Sequence, residues 1–324
     1  MSVSIENDDL RVTVTEEGGH IAEILHKKTG INPLWVPPWN GFKGSGAEDN
    51  LLSKIKGHNL CLDLFGVPSP EEEAAGVGVH GDGPVVRYEI EVSDGALEMR
   101  AHLPLAQIDF ERSIELNGTV VKIAESVTNL CAFDRPIGWT QHVTLGPPFL
   151  EKGATRFRVS ATRSKVFEGP FGKHDYLIPG AEFDWPIAPR VGGGIADMQV
   201  MNDAPSSSAF TTHLMDQSLK DAHFTAYNPS QNLVFGYLWK PGDFPWLGIW
   251  EENYSRTHEP WSGKTLTRGM EFGVSPMPET RRQMVDRGSL FGVPAYRWLP
   301  AKGRLEVVYG ARLTSADLAP EMMP

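Results

Sequence analysis

The feature that most constrains this chain is a short period-two apolar segment that recurs along it, each time closed by glycine, proline or a polar turn. Leu10-Arg-Val-Thr-Val-Thr15 alternates cleanly, a turn at Glu17-Gly-Gly19 follows, and Ile21-Ala-Glu-Ile-Leu25 resumes the pattern. Successive strand side chains point to opposite faces, so this alternation predicts a β-hairpin with one face on a core. The same reading predicts strands over residues 85–92, 97–103, 109–116, 120–129, 139–145 and 156–159. In the second half it adds 223–228, 233–239, 246–252, 267–274 and 305–313. Strand candidates spaced by about 8–12 residues are those of a large β-sandwich.

Helical signals are scarce. Residues 47–56 place Leu51, Leu52 and Ile55 on one face and stop at Gly57. Residues 278–287 open with a helix-starting proline and end at Gly288. Both predicted helices are short. The Pro- and Gly-rich stretches 67–84 and 186–194 read as long loops. No interval looks like a linker, repeat or low-complexity tract, so the expectation is one all-β domain over residues 1–324 with few short helices.

Composition narrows the function. The net charge is −11, from 30 Lys and Arg against 41 Asp and Glu, which argues against nucleic acid or an anionic membrane as partner. Cys61 and Cys131 are the two cysteines, with no C-x-x-C spacing, so both read as buried thiols of a reducing compartment. The first nine residues carry no basic and apolar leader pattern, and no uncharged apolar run approaches the ~20 residues of a membrane-spanning helix. A cytoplasmic protein is expected. Nine tryptophans suit a sugar ligand, because the apolar face of a pyranose packs on an aromatic ring.

Three separated residues carry the chemistry. Glu271 lies in the apolar run Arg268-Gly-Met-Glu271-Phe-Gly-Val-Ser-Pro-Met-Pro278, where a carboxylate needs a partner or a wet pocket. His80 lies in Val77-Gly-Val-His80-Gly-Asp-Gly83 and His142 in Trp139-Thr-Gln-His142-Val-Thr. A glutamate and two histidines from different strands can perform paired acid–base chemistry on a small neutral molecule. Glu271 could also serve as the partner of Arg268 or Arg256.

A second cluster runs from Phe244 to Trp261. Strand alternation puts Trp246, Gly248, Trp250 and Glu252 on one face, as a sugar platform with a hydrogen-bonding carboxylate. Arg256 and Lys264 would receive a carboxylate or phosphate if the ligand is anionic. His58, entering a strand just before the His80 segment, is a further binding candidate. Gly192-Gly-Gly-Ile lacks a following Lys-Ser/Thr, and no G-x-S-x-G elbow is present, so nucleotide binding and that serine-hydrolase class are disfavoured. His80, His142 and Glu271 are metal-ligand types without H-x-H or HExxH spacing, and no metal or other cofactor is expected.

In order along the chain, the Gly18-Gly19 hairpin, His80-Gly81, His142 after Asn129, and Met270-Glu271-Phe with Pro276 and Pro278 resemble the galactose mutarotase-like (aldose 1-epimerase) superfamily. The resemblance spans nearly the whole chain. It implies a β-supersandwich with a concave sugar cleft, in which a cyclic aldose opens at its anomeric carbon and recloses. It assigns Glu271 as base, His142 as acid, and His80 to the ring-oxygen side of the sugar. An ionised carboxylate and a partly protonated imidazole suit those tasks.

The sequence departs from the family pattern in three places. The interval before His80 holds Lys54 and Lys56 where the family carries an arginine. Gln141-His142-Val143-Thr144 replaces an Asn-His-Pro-Tyr-type sequence. The mid-chain aspartate has only weak counterparts in Asp216 and Asp221. Two other readings therefore stand beside an epimerase: a non-catalytic carbohydrate-binding protein, and a sugar-active lyase or metal enzyme using the same cleft. The expected partner is a small-molecule carbohydrate, and nothing in the pattern fixes an oligomeric state.

Overall fold

The computed structural model describes residues 1–44 and 46–322. Among these, the strands build an eleven-stranded and an eight-stranded sheet with antiparallel ladders, plus two short ribbons. The larger sheet runs Ser2–Glu6, Leu10–Thr15, Ile21–His26, His58–Asp63, Arg135–Leu145, Leu266–Gly273, Trp246–Asn253, Ser207–Met215, Ala161–Val166, Glu182–Asp184. Arg297–Leu299 pairs with the beginning of Arg135–Leu145. The smaller sheet runs Arg156–Val159, Ala222–Asn228, Leu233–Trp239, Arg304–Ser315, Val120–Asn129, Ile108–Asn117, Ala96–Leu103, Glu89–Ser93. The all-β supersandwich anticipated from the alternation is the observed class.

The two sheets share a core, and parity decides who enters it. In the central strands Leu60, Val143, Met270, Phe272, Leu247 and Ile249 face the second sheet, meeting Phe235, Tyr237 and Tyr309. Their immediate neighbours point to the opposite face of the large sheet, where a second apolar cluster gathers Cys61, Phe210, Trp246, Trp250 and Trp261. Both faces of these strands are therefore covered. A polar network crosses the core: Arg112 donates through Nε to Glu125 at 2.8 Å, and Glu125 also accepts from Gln141, Trp139 and Tyr309. Every polar group in it that faces the core finds a partner, as burial demands.

The helices are Ala47–Leu52, Pro70–Ala74 and Arg281–Arg287. Pro70–Ala74 lies inside the stretch read as a loop; Ser69 and Glu72 form a capping box there. The last helix starts later than Pro278, because Thr280 caps it by accepting from the Gln283 N–H. Ile187–Pro189 and Ile195–Asp197 make a hairpin where 186–194 read as a plain loop. Among the described residues, no helix is long and apolar enough to cross a membrane.

Candidate active site

Strand register brings the chemistry together. Asn59 pairs with His142, His142 with Glu271, Glu271 with Gly248, and Gly248 with Thr212, across five adjacent strands. Directly paired residues point to the same face, so His142 and Glu271 stand side by side on the face away from the core. Above them is an open cleft of about 450 Å³, walled by Leu51, His80, Phe171, Phe210, Trp250, Arg256 and Trp261.

His142 Nε2 lies 3.1 Å from Glu271 Oε1, and its Nδ1 lies 3.0 Å from the Thr144 hydroxyl. With the Nδ1 proton donated to the Thr144 hydroxyl, Nε2 faces Glu271, accepting its proton in the neutral pair and donating to it as imidazolium in the ion pair. Gly269 makes room for this contact: a Cβ there would collide with Glu271 Oε1. Burial pushes the Glu271 carboxyl well above the usual carboxylate range, opposed by the charge of Arg256. Burial, then the neighbouring His80, holds the His142 imidazole well below its ordinary value. Both shifts favour the uncharged forms. The neutral pair and the ion pair hold the same single proton and differ only in which side of the hydrogen bond it occupies.

His80 reaches the site from a loop. It adopts a left-handed backbone, φ 67°, its ring stacks near Phe65, and its centroid lies 5.4 Å from that of His142. The Gly66 N–H donates to His80 Nδ1 at 3.3 Å, and the His80 N–H donates to the Gly66 carbonyl at 2.9 Å. Neutral His80 therefore carries its ring proton on Nε2. Burial, with Arg256 adding, lowers His80 to about 4. Gly66 itself has φ 127°, and a side chain there would strike the Pro278 backbone, so the loop closes against the proline after the Glu271 strand.

The aromatic wall is built around Arg256. Its guanidinium lies 5.2 Å from the Trp250 ring centroid and 4.7 Å from that of Trp261. Glu252 and Glu48 approach it at 3.6 and 3.8 Å. Trp250 also meets the edge of His142, at 5.8 Å between centroids.

Of the residues singled out from sequence, Glu271, His142, His80, Trp250 and Arg256 line this one cleft. Four others do not. His58 faces the core, where Nδ1 meets the Tyr237 hydroxyl at 3.0 Å and Nε2 meets Gln141 Oε1 at 2.9 Å; one step of strand parity separates it from the cleft-facing Asn59. Trp246 shares the face of Glu271 but is fully buried, donating to the Pro294 carbonyl at 3.0 Å. Glu252 turns to the 253–256 bend and accepts from the Ser255 hydroxyl and the Arg256 N–H, so it holds Arg256 instead of lining the cleft. Lys264 is exposed in the turn beyond Trp261. Arg268, the other partner considered for Glu271, is on the core face beside Glu251 at 3.5 Å. Sequence reasoning missed Phe210, Phe171, Trp261 and His258 as lining residues. Trp261 and His258 sat within the Trp-rich segment, the signal that could have found them. Among the described residues, no group of three or more His, Cys, Asp or Glu is arranged to hold a metal ion.

No family model and no curated protein matches this sequence. Solved structures do. A galactose mutarotase-like protein of Clostridium acetobutylicum superposes with TM-score 0.64 at 16% identity, covering 97% of this chain and 95% of its own. A "putative aldose 1-epimerase" of Escherichia coli K12 gives 0.67 at 13%, with coverage of 97% and 99%. A galactose mutarotase related enzyme of Lactobacillus acidophilus gives 0.62 at 14%, with 97% and 98%. At these identities the likeness is one of fold, and the fold is the galactose mutarotase-like one.

Proposed function

We propose that this protein interconverts the anomers of an aldose without a cofactor, with Glu271 as base, His142 as acid and His80 on the ring-oxygen side. The observation that carries the reading is the 3.1 Å contact between Glu271 Oε1 and His142 Nε2 at the floor of a cleft lined by Trp250 and Trp261. The anomeric hydroxyl and the ring oxygen are bonded to the same carbon. Opening the ring needs a proton taken from one and given to the other, so acid and base must be close neighbours. Glu271 takes the hydroxyl proton as the C1–O bond of the ring breaks, and His142 Nε2–H protonates the leaving ring oxygen. Reclosure on the other face of C1 reverses both transfers. Each positioned transfer is typically worth about 10²–10⁴-fold. His80 Nε2–H is a further donor for the sugar, and the tryptophan faces suit its C–H surface.

Arg256 already has Glu252 and Glu48 beside it, which favours a neutral aldose over a uronic acid or sugar phosphate. Sugar binding without turnover is the second reading, favoured by the burial that stabilises the uncharged pair. Exchange NMR on glucose, galactose and other free aldoses separates the two. Protein-accelerated exchange of the α and β signals, lost in Glu271→Gln, supports the epimerase. Saturable binding with exchange at the buffer rate supports the binding protein and overturns the mechanism.

A further inference from the structure

We propose that the chain carries a second carbohydrate site, centred on Trp298 and separate from the cleft. A depression of about 530 Å³ is lined by Gln217, Asp243, Tyr296, Arg297 and Trp298, with Pro245 and Pro294 among its apolar walls. It shares no lining residue with the cleft. It lies at the Trp246 end of the strand whose other end carries Trp250 and leads to Arg256, and the buried Trp246 ring, bonded to Pro294, stands between.

Trp298 carries the site. The indole is 56% exposed, although tryptophan has the most to gain from burial. It is not loose: Arg297–Leu299 is laddered to Arg135–Leu145, and Leu299 is fully buried. Tyr296 stands edge-on to it, with centroids 5.8 Å apart and planes at 85°. The pair forms a corner with one open apolar face, presented on a rigid element that needs little ordering to bind.

The polar groups around that corner select the ligand class. Arg297 Nη2 donates to the Gly242 carbonyl at 3.1 Å and lies 3.6 Å from Asp243 Oδ1. The guanidinium is donor-only and the carboxylate acceptor-only, and together they are neutral. The Gln217 amide nitrogen is held by the Met215 carbonyl at 3.0 Å. A charged ligand gains nothing from a neutral pair. A ligand with an apolar ring face and vicinal hydroxyls, each both donor and acceptor, matches all of these features. That is a neutral pyranoside. The size lies in the range of small-molecule sites.

The proposal is independent of catalysis in the cleft, and its test uses sugars that cannot be turned over. The full chain, labelled with [15N]-tryptophan, is titrated with methyl β-D-glucopyranoside, methyl α-D-galactopyranoside and methyl α-D-mannopyranoside, whose anomeric carbons are locked. The Trp298 indole resonance is identified by its loss in Trp298→Phe. At least one glycoside is expected to shift it saturably, and Asp243→Ala or Arg297→Ala to weaken that binding at least tenfold. Trp298→Ala should leave anomeric exchange in the cleft unchanged. Three outcomes overturn the proposal: a Trp298 resonance unmoved by all three glycosides; a shift equally strong in both alanine variants, which marks nonspecific ring contact; or a shift with protein concentration alone, which marks a face for a second copy of the chain.

Discussion

Glu271 and His142 are opposed residues on neighbouring antiparallel strands, and their side chains meet at 3.1 Å on the sheet face turned away from the core. Backbone hydrogen bonds between two rigid strands set that distance, so the pair needs no loop to assemble it. Its only ion-pair partner among the described residues is itself: Arg268 is engaged by Glu251, and Arg256 by Glu252 and Glu48.

Glu271→Gln should therefore remove the base without removing a strut. The amide is nearly isosteric and still bonds to His142. Anomeric exchange should fall by two or more orders of magnitude, on the order of 3 kcal/mol in barrier, with sugar affinity much less altered. Thermal melting measured on the same sample checks the structural side. A variant that melts early yet exchanges normally sinks the mechanism.

Gly269→Ala changes no titratable group but puts a methyl where Glu271 Oε1 sits. The carboxylate is the movable end of a side chain, so the fold should survive while the contact with His142 lengthens. Exchange should drop at least tenfold, about 1.4 kcal/mol, with a far-ultraviolet circular dichroism spectrum like that of the parent. Unchanged exchange would show that the contact is not needed.

Acid should destabilise the protein partly through His20. Burial lowers its pKa to about 4; Nε2–H donates to the Pro84 carbonyl and Nδ1 accepts from the Lys56 N–H. The folded value lies below the ordinary 6.5, so the unfolded chain binds a proton that the folded chain refuses. The stabilising contribution is present above about 6.5 and is lost as pH falls toward 4, at about 1.4 kcal/mol per pH unit. In His20→Gln that slope should be shallower by this amount in urea melts between those pH values. Parallel slopes for the two proteins would mean His20 is charged in the fold.

Glu125→Ala should cost about 3–5 kcal/mol, read from the urea midpoint at neutral pH. It strands the fully buried guanidinium of Arg112 and removes the acceptor of Gln141, Trp139 and Tyr309. Replacing both ions, as Arg112→Met with Glu125→Leu, should recover much of that loss. If the single variant is as stable as the parent, the network contributes nothing.

Much of the fold was legible because exposed-edged strands advertise their faces. Residues 120–129, 156–159 and 233–239 were bounded from alternation and turns as the structure has them. Ser207–Met215 escaped because its Ser-Ser-Ala-Phe-Thr-Thr-His run carries no apolar alternation to read, although each of its residues is buried in the structure. Trp246 and Glu252 were read as part of the sugar platform and do share its face, yet neither lines the cleft, since alternation specifies a face and says nothing of what lies above each position along it.

The sequence by itself determined the all-β class, the strand faces and the three residues able to move protons. It could do so because strand periodicity is local, fixed by the pleat of each segment. Only the tertiary structure decided that Glu271 and His142 are register partners, that His58 belongs to the core, and that Arg256 folds back over Trp250 and Trp261. Register is set by pairing between segments far apart in the chain, and a one-residue slip would have carried His142 and Glu271 to opposite faces.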